Sequence, residues 1–263
     1  MRVALRIAYD GRAFYGHQRQ PDARTVEGEC IAALKAARIL RDPKEAFFRS
    51  ASRTDRGVSA VGNVIAFDSA LRPDAVVGAF DDRAKDVWAW AVAEVPGGFH
   101  PRHALERWYR YHLYDDFPLS ALREAASLFI GAHDLRSFTS DPPASPMPIH
   151  RVDVTRDDDV ILVDVRARSF RRGMIRRIVS ALVGHARGEV DLEEIRSALL
   201  GKAHDFGMVS AEPLFLMEVL YDFAFRTVLK PKALDEWRAL SVDANLRARL
   251  VGAIRDAAKP AMR

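Results

Sequence analysis

The segment Ser52-Arg-Thr-Asp-Arg-Gly-Val-Ser-Ala60 is polar and joins two stretches that read as β-strands. On its amino-terminal side Ala46 to Arg49 predicts a short strand, and on its carboxyl-terminal side Val61 to Phe67 predicts a longer one. Within the segment, Asp55-Arg-Gly57 fits a turn, because an Asp side chain bonds nearby backbone groups and Gly tolerates a positive φ. A plain turn and a functional loop both remain open on these residues alone.

The elements around this segment predict an α+β chain of two similar halves. Each half reads strand, helix, strand, strand, helix, strand, which is the ferredoxin-like order of split βαβ units. The predicted strands are Val3 to Tyr9, Val87 to Val95, Arg107 to Tyr114, Arg151 to Thr155, Val160 to Ala167 and Phe215 to Tyr221, and the predicted helices follow Thr25 or cover 73–80, 119–129, 170–187 and 192–200. We therefore expect two ferredoxin-like halves joined into one extended, mostly antiparallel sheet flanked by helices, with a central cleft where the halves meet.

The chain divides near residues 97–103. We predict an N-terminal α+β domain over 1–100 that carries the Asp55 loop, a C-terminal α+β domain over 101–228, and an appendage of short helices over 229–263. Residues 139–148 contain four prolines and predict a loop.

Composition limits the class of protein. The chain has 263 residues, of which 49% are hydrophobic, so it can build a proper core. A net charge of +4 and a pI near 9.3 fit an RNA partner. The single cysteine, Cys30, excludes a disulfide framework within the chain and indicates a reducing, cytoplasmic location. The N-terminus alternates as a strand does, not as a signal peptide, and we expect no membrane-spanning stretch.

Further blocks stand in order on both sides of the Asp55 segment. They are Tyr9-Asp-Gly11, Phe14-Tyr-Gly-His-Gln-Arg-Gln20, Thr25-Val-Glu27, Arg107-Trp-Tyr-Arg-Tyr111, Gly131-Ala-His-Asp-Leu-Arg-Ser-Phe138, Ser169-Phe-Arg-Arg-Gly-Met-Ile-Arg-Arg-Ile178 and Leu214-Phe-Leu216. Together with Ser52 to Ala60 they resemble the tRNA pseudouridine synthase I (TruA) family, in its archaeal and eukaryotic form. Ordered blocks over residues 3–222 are far more specific than any one of them.

This resemblance implies an isomerase that converts uridine to pseudouridine in the anticodon stem-loop of tRNA, around positions 38 to 40. Asp55 takes the place of the family's catalytic aspartate. It acts either as a nucleophile or as a base that removes the C2′ proton, and the sequence leaves both open. Both need an ionised carboxylate beside a flipped-out uridine. The resemblance also implies no cofactor, an RNA-binding central cleft and a homodimer in which each cleft is completed by the partner.

The same resemblance assigns roles to the residues around Asp55. Arg176 matches the arginine of the third motif and is expected to pair with the carboxylate, with Arg53 as a second candidate; a solvated surface arginine is the alternative. Tyr109 matches the active-site tyrosine that stacks on the target base. Tyr111 shares its strand face, and a plain core tyrosine is the alternative for either.

Basic residues and one leucine complete the predicted substrate site. Arg168 and Arg172 belong to a dense basic cluster that would contact phosphates, unless it is only a solvated helix face. Arg56 is a weaker candidate of the same kind, and Leu216 ends the last matched block.

Five residues depart from the bacterial form of the family. Ser52 stands where Gly is usual, Arg56 where Ala is usual, His17 where Trp is usual, and Arg172-Gly173 replaces two histidines. These differences bear on which uridines are chosen and leave the aspartate unchanged.

Two other classes of protein stay open on the residues. One is a non-catalytic RNA-binding module, although an acid in the Asp55 segment would repel phosphates. The other is a metal-dependent enzyme that uses Asp55, for which loss of activity with a chelator is the test. Asp157-Asp-Asp159 lacks the Gly and Glu spacing of a calcium loop and predicts a hairpin turn instead.

Overall fold

A nine-stranded sheet runs through the protein, and the computed structural model describes residues 1–258. Its strands are β1 (Arg2–Tyr9), β2 (Arg49–Ser50), β3 (Ser59–Asp68), β4 (Val87–Val95), β5 (Glu106–Leu113), β8 (Arg151–Asp157), β9 (Val160–Ala167), β10 (Leu214–Leu220) and β11 (Arg226–Thr227), while β6 (Gly131–His133) and β7 (Met147–Ile149) form a separate pair. The helices are α1 (Val26–Ala36), α2 (Pro73–Asp81), α3 (Leu119–Ser127), α4 (Met174–Ala186), α5 (Leu192–Leu199) and α6 (Pro231–Ala258).

The strand order confirms two ferredoxin-like halves. In the first half the neighbours run β4, β1, β3, β2, and in the second they run β10, β5, β9, β8, so each half places its fourth strand beside its first and its third beside its second. The halves join where β10 runs parallel to β3, with Phe215 opposite Ser59 and Leu216 opposite Ala60. The other strand pairs of the described chain are antiparallel, which gives the extended, mostly antiparallel sheet that the sequence predicts.

Strand β5 turns every second side chain to the buried face of the sheet, where the candidate active site lies. Its residues are alternately half-buried and buried, so Arg107, Tyr109, Tyr111 and Leu113 all turn to the buried face. A guanidinium on that face is unusual, since buried arginines are rare without a partner.

Helix starts follow local chemistry. The Thr25 side chain accepts a hydrogen bond from the Gly28 N–H at 3.2 Å, so Thr25 is the N-cap of α1, and the helix predicted after Thr25 is confirmed. Helix α4 carries an apolar stripe on the face that packs into the core, where Ile178 and Leu182 are fully buried. The prediction that this helix starts at Phe170 is wrong, because Gly173 has φ 71° and the regular helix begins only at Met174.

Three other sequence predictions need correction. The strand predicted over residues 46–49 is β2 at Arg49–Ser50, since residues 43–47 form a turn. The predicted loop 139–148 ends inside β7, whose three residues pair with β6 and place Pro148 opposite Ala132. The appendage is one long helix, α6, in place of several short ones, and its predicted last residues 259–263 lie outside the described residues.

The chain after β10 returns to the first half. β11 pairs with the outer edge of β4, and α6 packs against the same strand. Trp237 meets Trp88 edge-on at 6.4 Å, and the Trp88 indole N–H donates to the Glu236 carboxylate at 2.6 Å. β11 lies in the predicted C-terminal domain and α6 in the predicted appendage, so both return to the N-terminal half. β11 covers the outer edge of β4, a common protection for exposed sheet edges. The division of the chain into three domains stays a prediction.

Candidate active site

The loop that carries Asp55 is anchored from beneath by buried polar side chains. Asn63, fully buried on β3, accepts from the Ser52 N–H at 3.3 Å and donates to the Ser52 carbonyl at 3.0 Å. The Thr54 hydroxyl lies 2.9 Å from the hydroxyl of Tyr9, and the backbone N–H of His17 donates to the Thr54 carbonyl at 3.0 Å. Buried polar groups satisfied in this way fix backbone position. The residues before Asp55 are therefore held tightly.

A tight turn follows immediately. The Val58 N–H donates to the Asp55 carbonyl at 3.2 Å, and Gly57 has φ 88°. Gly11 lies so close that a Cβ there would come within 2.2 Å of the Val58 carbonyl oxygen. The segment is thus both a turn and a loop that presents one carboxylate, so the two readings of the sequence are compatible.

The Asp55 carboxylate meets one guanidinium from the other half of the protein. Oδ2 of Asp55 lies 3.6 Å from Nη1 of Arg176, with side chains 33% and 15% exposed. Nε of Arg176 donates to the Val209 carbonyl at 2.8 Å, which fixes the guanidinium in place. The predicted partnership of Arg176 with Asp55 is present as a single contact between partly buried groups. A solvated surface arginine does not describe it.

Tyr109 lies in β5 on the buried face beside this pair. Its ring meets Phe170 edge-on at 5.2 Å. Burial raises the pKa of Tyr109 to about 12, with a smaller contribution in the same direction from the charge of Asp55. The hydroxyl of Tyr111 donates to the Ser210 carbonyl at 3.0 Å, and burial raises the pKa of Tyr111 to about 12 as well. Both phenols are therefore protonated at neutral pH.

Arg107 also belongs to this site, although the sequence alone gives it no role. It is 8% exposed, and burial lowers its pKa. Its guanidinium donates to the Ser52 hydroxyl at 3.0 Å and to the Ala51 carbonyl at 3.1 Å, and it also bonds the carbonyls of Arg102 and Arg168. It thereby ties the start of the Asp55 loop to the end of β9. Its position on the buried face of β5, two residues before Tyr109, is the signal that could have found it.

The remaining predicted arginines lie at exposed positions. The Arg53 side chain lines a neighbouring basic pocket, and no hydrogen bond or ion pair among the described residues joins it to Asp55. Arg56 lies over the ring of Tyr15 at 4.3 Å. Arg168 and Arg172 are exposed on the segment between β9 and α4.

Leu216 lies in the interior. It sits in β10 between Ala60 of β3 and Tyr109 of β5, and its side chain is fully buried. It therefore supports the strand that carries Tyr109 and offers no exposed surface in this conformation.

Other site types find little support in the part of the chain that the structure covers. Within residues 1–258, no group of three or more His, Cys, Asp or Glu is placed to hold a metal ion. Asp157 ends β8, and Asp158 takes the left-handed conformation with φ 49°, so this acidic run forms the predicted hairpin turn. None of the described helices has the length and apolar character needed to cross a membrane.

Comparison with known proteins identifies the family. The tRNA pseudouridine synthase A of Thermococcus kodakarensis is 45% identical to this chain over 207 residues, which cover 77% of the chain and 78% of the relative. The chain belongs to the tRNA pseudouridine synthase family. The tRNA pseudouridine synthase A of Pyrococcus abyssi is 39% identical over 263 residues and 96% of each chain. A third, from Thermococcus onnurineus, is 47% identical over 207 residues.

The match to a tRNA pseudouridine synthase family model covers residues 125–222 and so includes Arg176 but neither Asp55 nor Tyr109. Pseudouridine synthases are isomerases, and this member of the family is one. The resemblance of the ordered blocks to this family is confirmed, and so is its archaeal character, since these three relatives are from Thermococcus and Pyrococcus.

Proposed function

We propose that this pseudouridine synthase acts on uridines of the tRNA anticodon stem-loop, around positions 38 to 40, with Asp55 as its catalytic group. One observation carries the proposal: an accessible carboxylate on an anchored loop faces the guanidinium of Arg176 across the junction of the two halves, 3.6 Å away. The family relationship supplies the reaction, and this pair supplies the group that can perform it.

The reaction breaks the N1–C1′ bond of the uridine, turns the base and forms a C5–C1′ bond. The hydrogen on C5 leaves to water, and N1 ends with a proton, so the isomerisation needs no oxidant or reductant. An ionised Asp55 can carry out the first step of the reaction, either as a nucleophile or by removing the C2′ proton. A positively charged neighbour favours the ionised form of a carboxylate in either role.

Tyr109 gives the flipped base an aromatic neighbour. Protein aromatic rings commonly stack on unpaired RNA bases, and this ring is already held by Phe170 and by its strand. Tyr111 holds the Ser210 carbonyl, which lies next to the carbonyl that fixes Arg176. We assign base contact to Tyr109 and a supporting role to Tyr111.

The rim of the site is basic. Arg56, Arg168 and Arg172 are exposed around the Asp55 loop and the start of α4, as contacts to RNA phosphates require. Arg53 shares this role in our proposal, because it is exposed and lines the neighbouring basic pocket.

Assembly and location complete the proposal. The family resemblance supports a homodimer, which sedimentation of the purified protein tests directly. A cytoplasmic location fits the single cysteine, Cys30, which is free and buried.

Release of tritium from an unmodified tRNA transcript labelled at uridine C5 tests the catalytic proposal. Wild type is expected to release tritium in the presence of a chelator, and Asp55→Asn, which keeps the size of the side chain, is expected to release none. Transcripts with a single labelled uridine then locate the target. Binding without release by wild type would favour the RNA-binding module, and loss of release with chelator would favour a metal-dependent enzyme.

A further inference from the structure

A concave pocket of about 310 Å³ lies beside the Asp55 loop, and Arg53 of that loop is one of its lining residues. Its cationic lining residues are Arg19, Lys44, Arg49, Arg53 and Arg102. A volume of this size is at the lower end of the range for small-ligand sites, about 300 Å³ and above. The lining residues of the pocket lie in the predicted N-terminal domain apart from Arg102, and neither Asp55 nor Arg176 is among them.

Positive charge dominates this basic pocket. Only one carboxylate, that of Glu27, lines it against five cations. Glu27 already pairs with Arg19: the backbone N–H of Arg19 donates to the Glu27 carboxylate at 3.2 Å, and Nε of Arg19 lies 3.7 Å from it. Among the ion pairs of residues 1–258, none involves the other four cations.

The pKa values of two histidines in the pocket wall are lowered by burial and, to a smaller extent, by neighbouring cations. Burial lowers the pKa of His17 to about 4, and Arg53 adds to that shift. Burial also lowers the pKa of His100, with further contributions from nearby cations that include Arg102 and Arg49. His17 is 1% exposed, and neither of its ring nitrogens has a hydrogen-bond partner in the described chain. Buried polar groups normally have one, so this ring is an exception behind the pocket wall.

We infer that the basic pocket binds a phosphodiester group of the RNA substrate, at a site separate from the one that holds the target uridine. The inference rests on the proposed function, because the RNA is the substrate named there. Guanidinium groups bind phosphate through paired N–H donors, and an excess of cations at one concave place is what a backbone phosphate neutralises.

The place of the pocket favours a phosphate of a bound RNA strand over a free anion. Arg53 lines the pocket and stands two residues from Asp55, and two residues span at most about 7 Å. An RNA strand that places a uridine at Asp55 therefore passes the pocket within a nucleotide or so of the target. A phosphate held there fixes the strand without touching the reacting base.

Salt-dependent binding measures this contact without relying on catalysis. In an Asp55→Asn background, the tRNA Kd is measured against KCl for R49Q/R102Q and for the control R38Q/R83Q. The control also removes two exposed arginines, but from a shallow pocket by the ends of α1 and α2. We expect the slope of log K against log[salt] to fall by about 0.7–0.9 for each lost phosphate contact in the pocket variant and to stay unchanged in the control.

Activity separates binding from chemistry. With Asp55 intact, R49Q/R102Q should raise KM about tenfold and leave kcat within twofold of wild type, while thermal melting stays unchanged. An unchanged salt slope, or a fall in kcat with unchanged Kd, overturns the inference.

Small probes separate the sources of phosphate. The binding of uridine monophosphate and of inorganic phosphate to the pocket is measured alongside tRNA binding to R49Q/R102Q. If a small probe binds the pocket but the salt slope and KM of R49Q/R102Q for tRNA equal those of the unaltered pocket, the pocket is a free-anion site and the inference is overturned. Failure of the proposed function has a different result: wild type then releases no tritium, whatever the salt slope of tRNA binding.

Discussion

Arg107→Met removes the buried guanidinium that ties the Asp55 loop to the rest of the sheet. The change keeps an unbranched side chain but leaves the Ser52 hydroxyl and the Ala51 carbonyl without their donor. Orphaned buried acceptors cost about 1–3 kcal/mol each. The carbonyls of Arg102 and Arg168 belong to exposed residues, so water can replace the donor there.

One effect opposes this loss. Burying a guanidinium is unfavourable, which is why burial lowers the pKa of Arg107, and the methionine recovers that cost. Two orphaned acceptors at about 1–3 kcal/mol each exceed a partial recovery, because an arginine that meets four oxygens is already largely compensated. We expect the free energy of unfolding to fall by about 2–4 kcal/mol.

Guanidinium chloride unfolding followed by tryptophan fluorescence measures this change. A lower midpoint with an unchanged slope reports lost stability. The matched control is Arg151→Met, an arginine of β8 in the same sheet whose side chain is 65% exposed and paired with Asp153; it should cost less than about 1 kcal/mol. A loss below 1 kcal/mol for Arg107→Met, or a loss equal to that of the control, refutes the reasoning.

Activity adds a second readout for Arg107. If the guanidinium positions the loop, Arg107→Lys should restore more stability than kcat, because a lysine keeps the charge but lacks the planar set of donors. Equal recovery of both would leave Arg107 with a purely structural role.

Three further changes have outcomes that follow from the structure. Arg176→Gln removes the guanidinium 3.6 Å from the proposed catalytic carboxylate, so kcat should fall by about 10–100-fold in the tritium-release assay with little change in Kd for tRNA, and equal kcat would contradict the pairing. Burial raises the pKa of Asp81 to about 7, above its unfolded value of 3.8, so its contribution to stability is complete below pH 3.8 and is lost as pH rises through 7. Asp81→Asn should therefore raise the melting temperature relative to wild type at pH 8 more than at pH 4, and a constant difference would contradict the shift. Gly11→Ala places a Cβ within 2.2 Å of the Val58 carbonyl and should cost at least 2 kcal/mol in denaturant unfolding, about the size of an overpacking penalty, while Gly98→Ala, with nothing within 4 Å, should be neutral.

Much of the fold follows from local periodicity. Strands β1, β4 and β9 and the stripe of α4 show their buried faces directly in the sequence, and the repeated order of elements gives the two ferredoxin-like halves. Periodicity does not show where a helix is cut short by backbone geometry, which is why Gly173 was missed. It also does not show β6 and β7, whose three-residue strands exist only because they pair with each other. In α6, exposed apolar residues such as Leu246 and Leu250 blur the pattern that a single helix would give.

The site was predictable where the family blocks reached it. Asp55, Arg176 and Tyr109 are brought together as the blocks imply, although they lie in three separate parts of the sequence. The blocks gave no role to Arg107, since a buried arginine bonded only to neutral oxygens has no charge partner to reveal it. They also could not place the side chain of Arg53, whose direction depends on how the loop turns between Ser52 and Asp55.

The geometry of the site depends on how the two halves fit together. Asp55 is held by the first half through Ser52 and Asn63, and Arg176 by the second through Val209, so their separation of 3.6 Å is a distance between halves. The backbone seam between the halves is short, because β3 and β10 pair at only two positions. Catalytic contacts in free enzymes are often long and tighten with substrate. If arginines of both halves bind the RNA as proposed, the bound strand acts across this seam, and the contacts that hold the substrate then also set the carboxylate against its guanidinium.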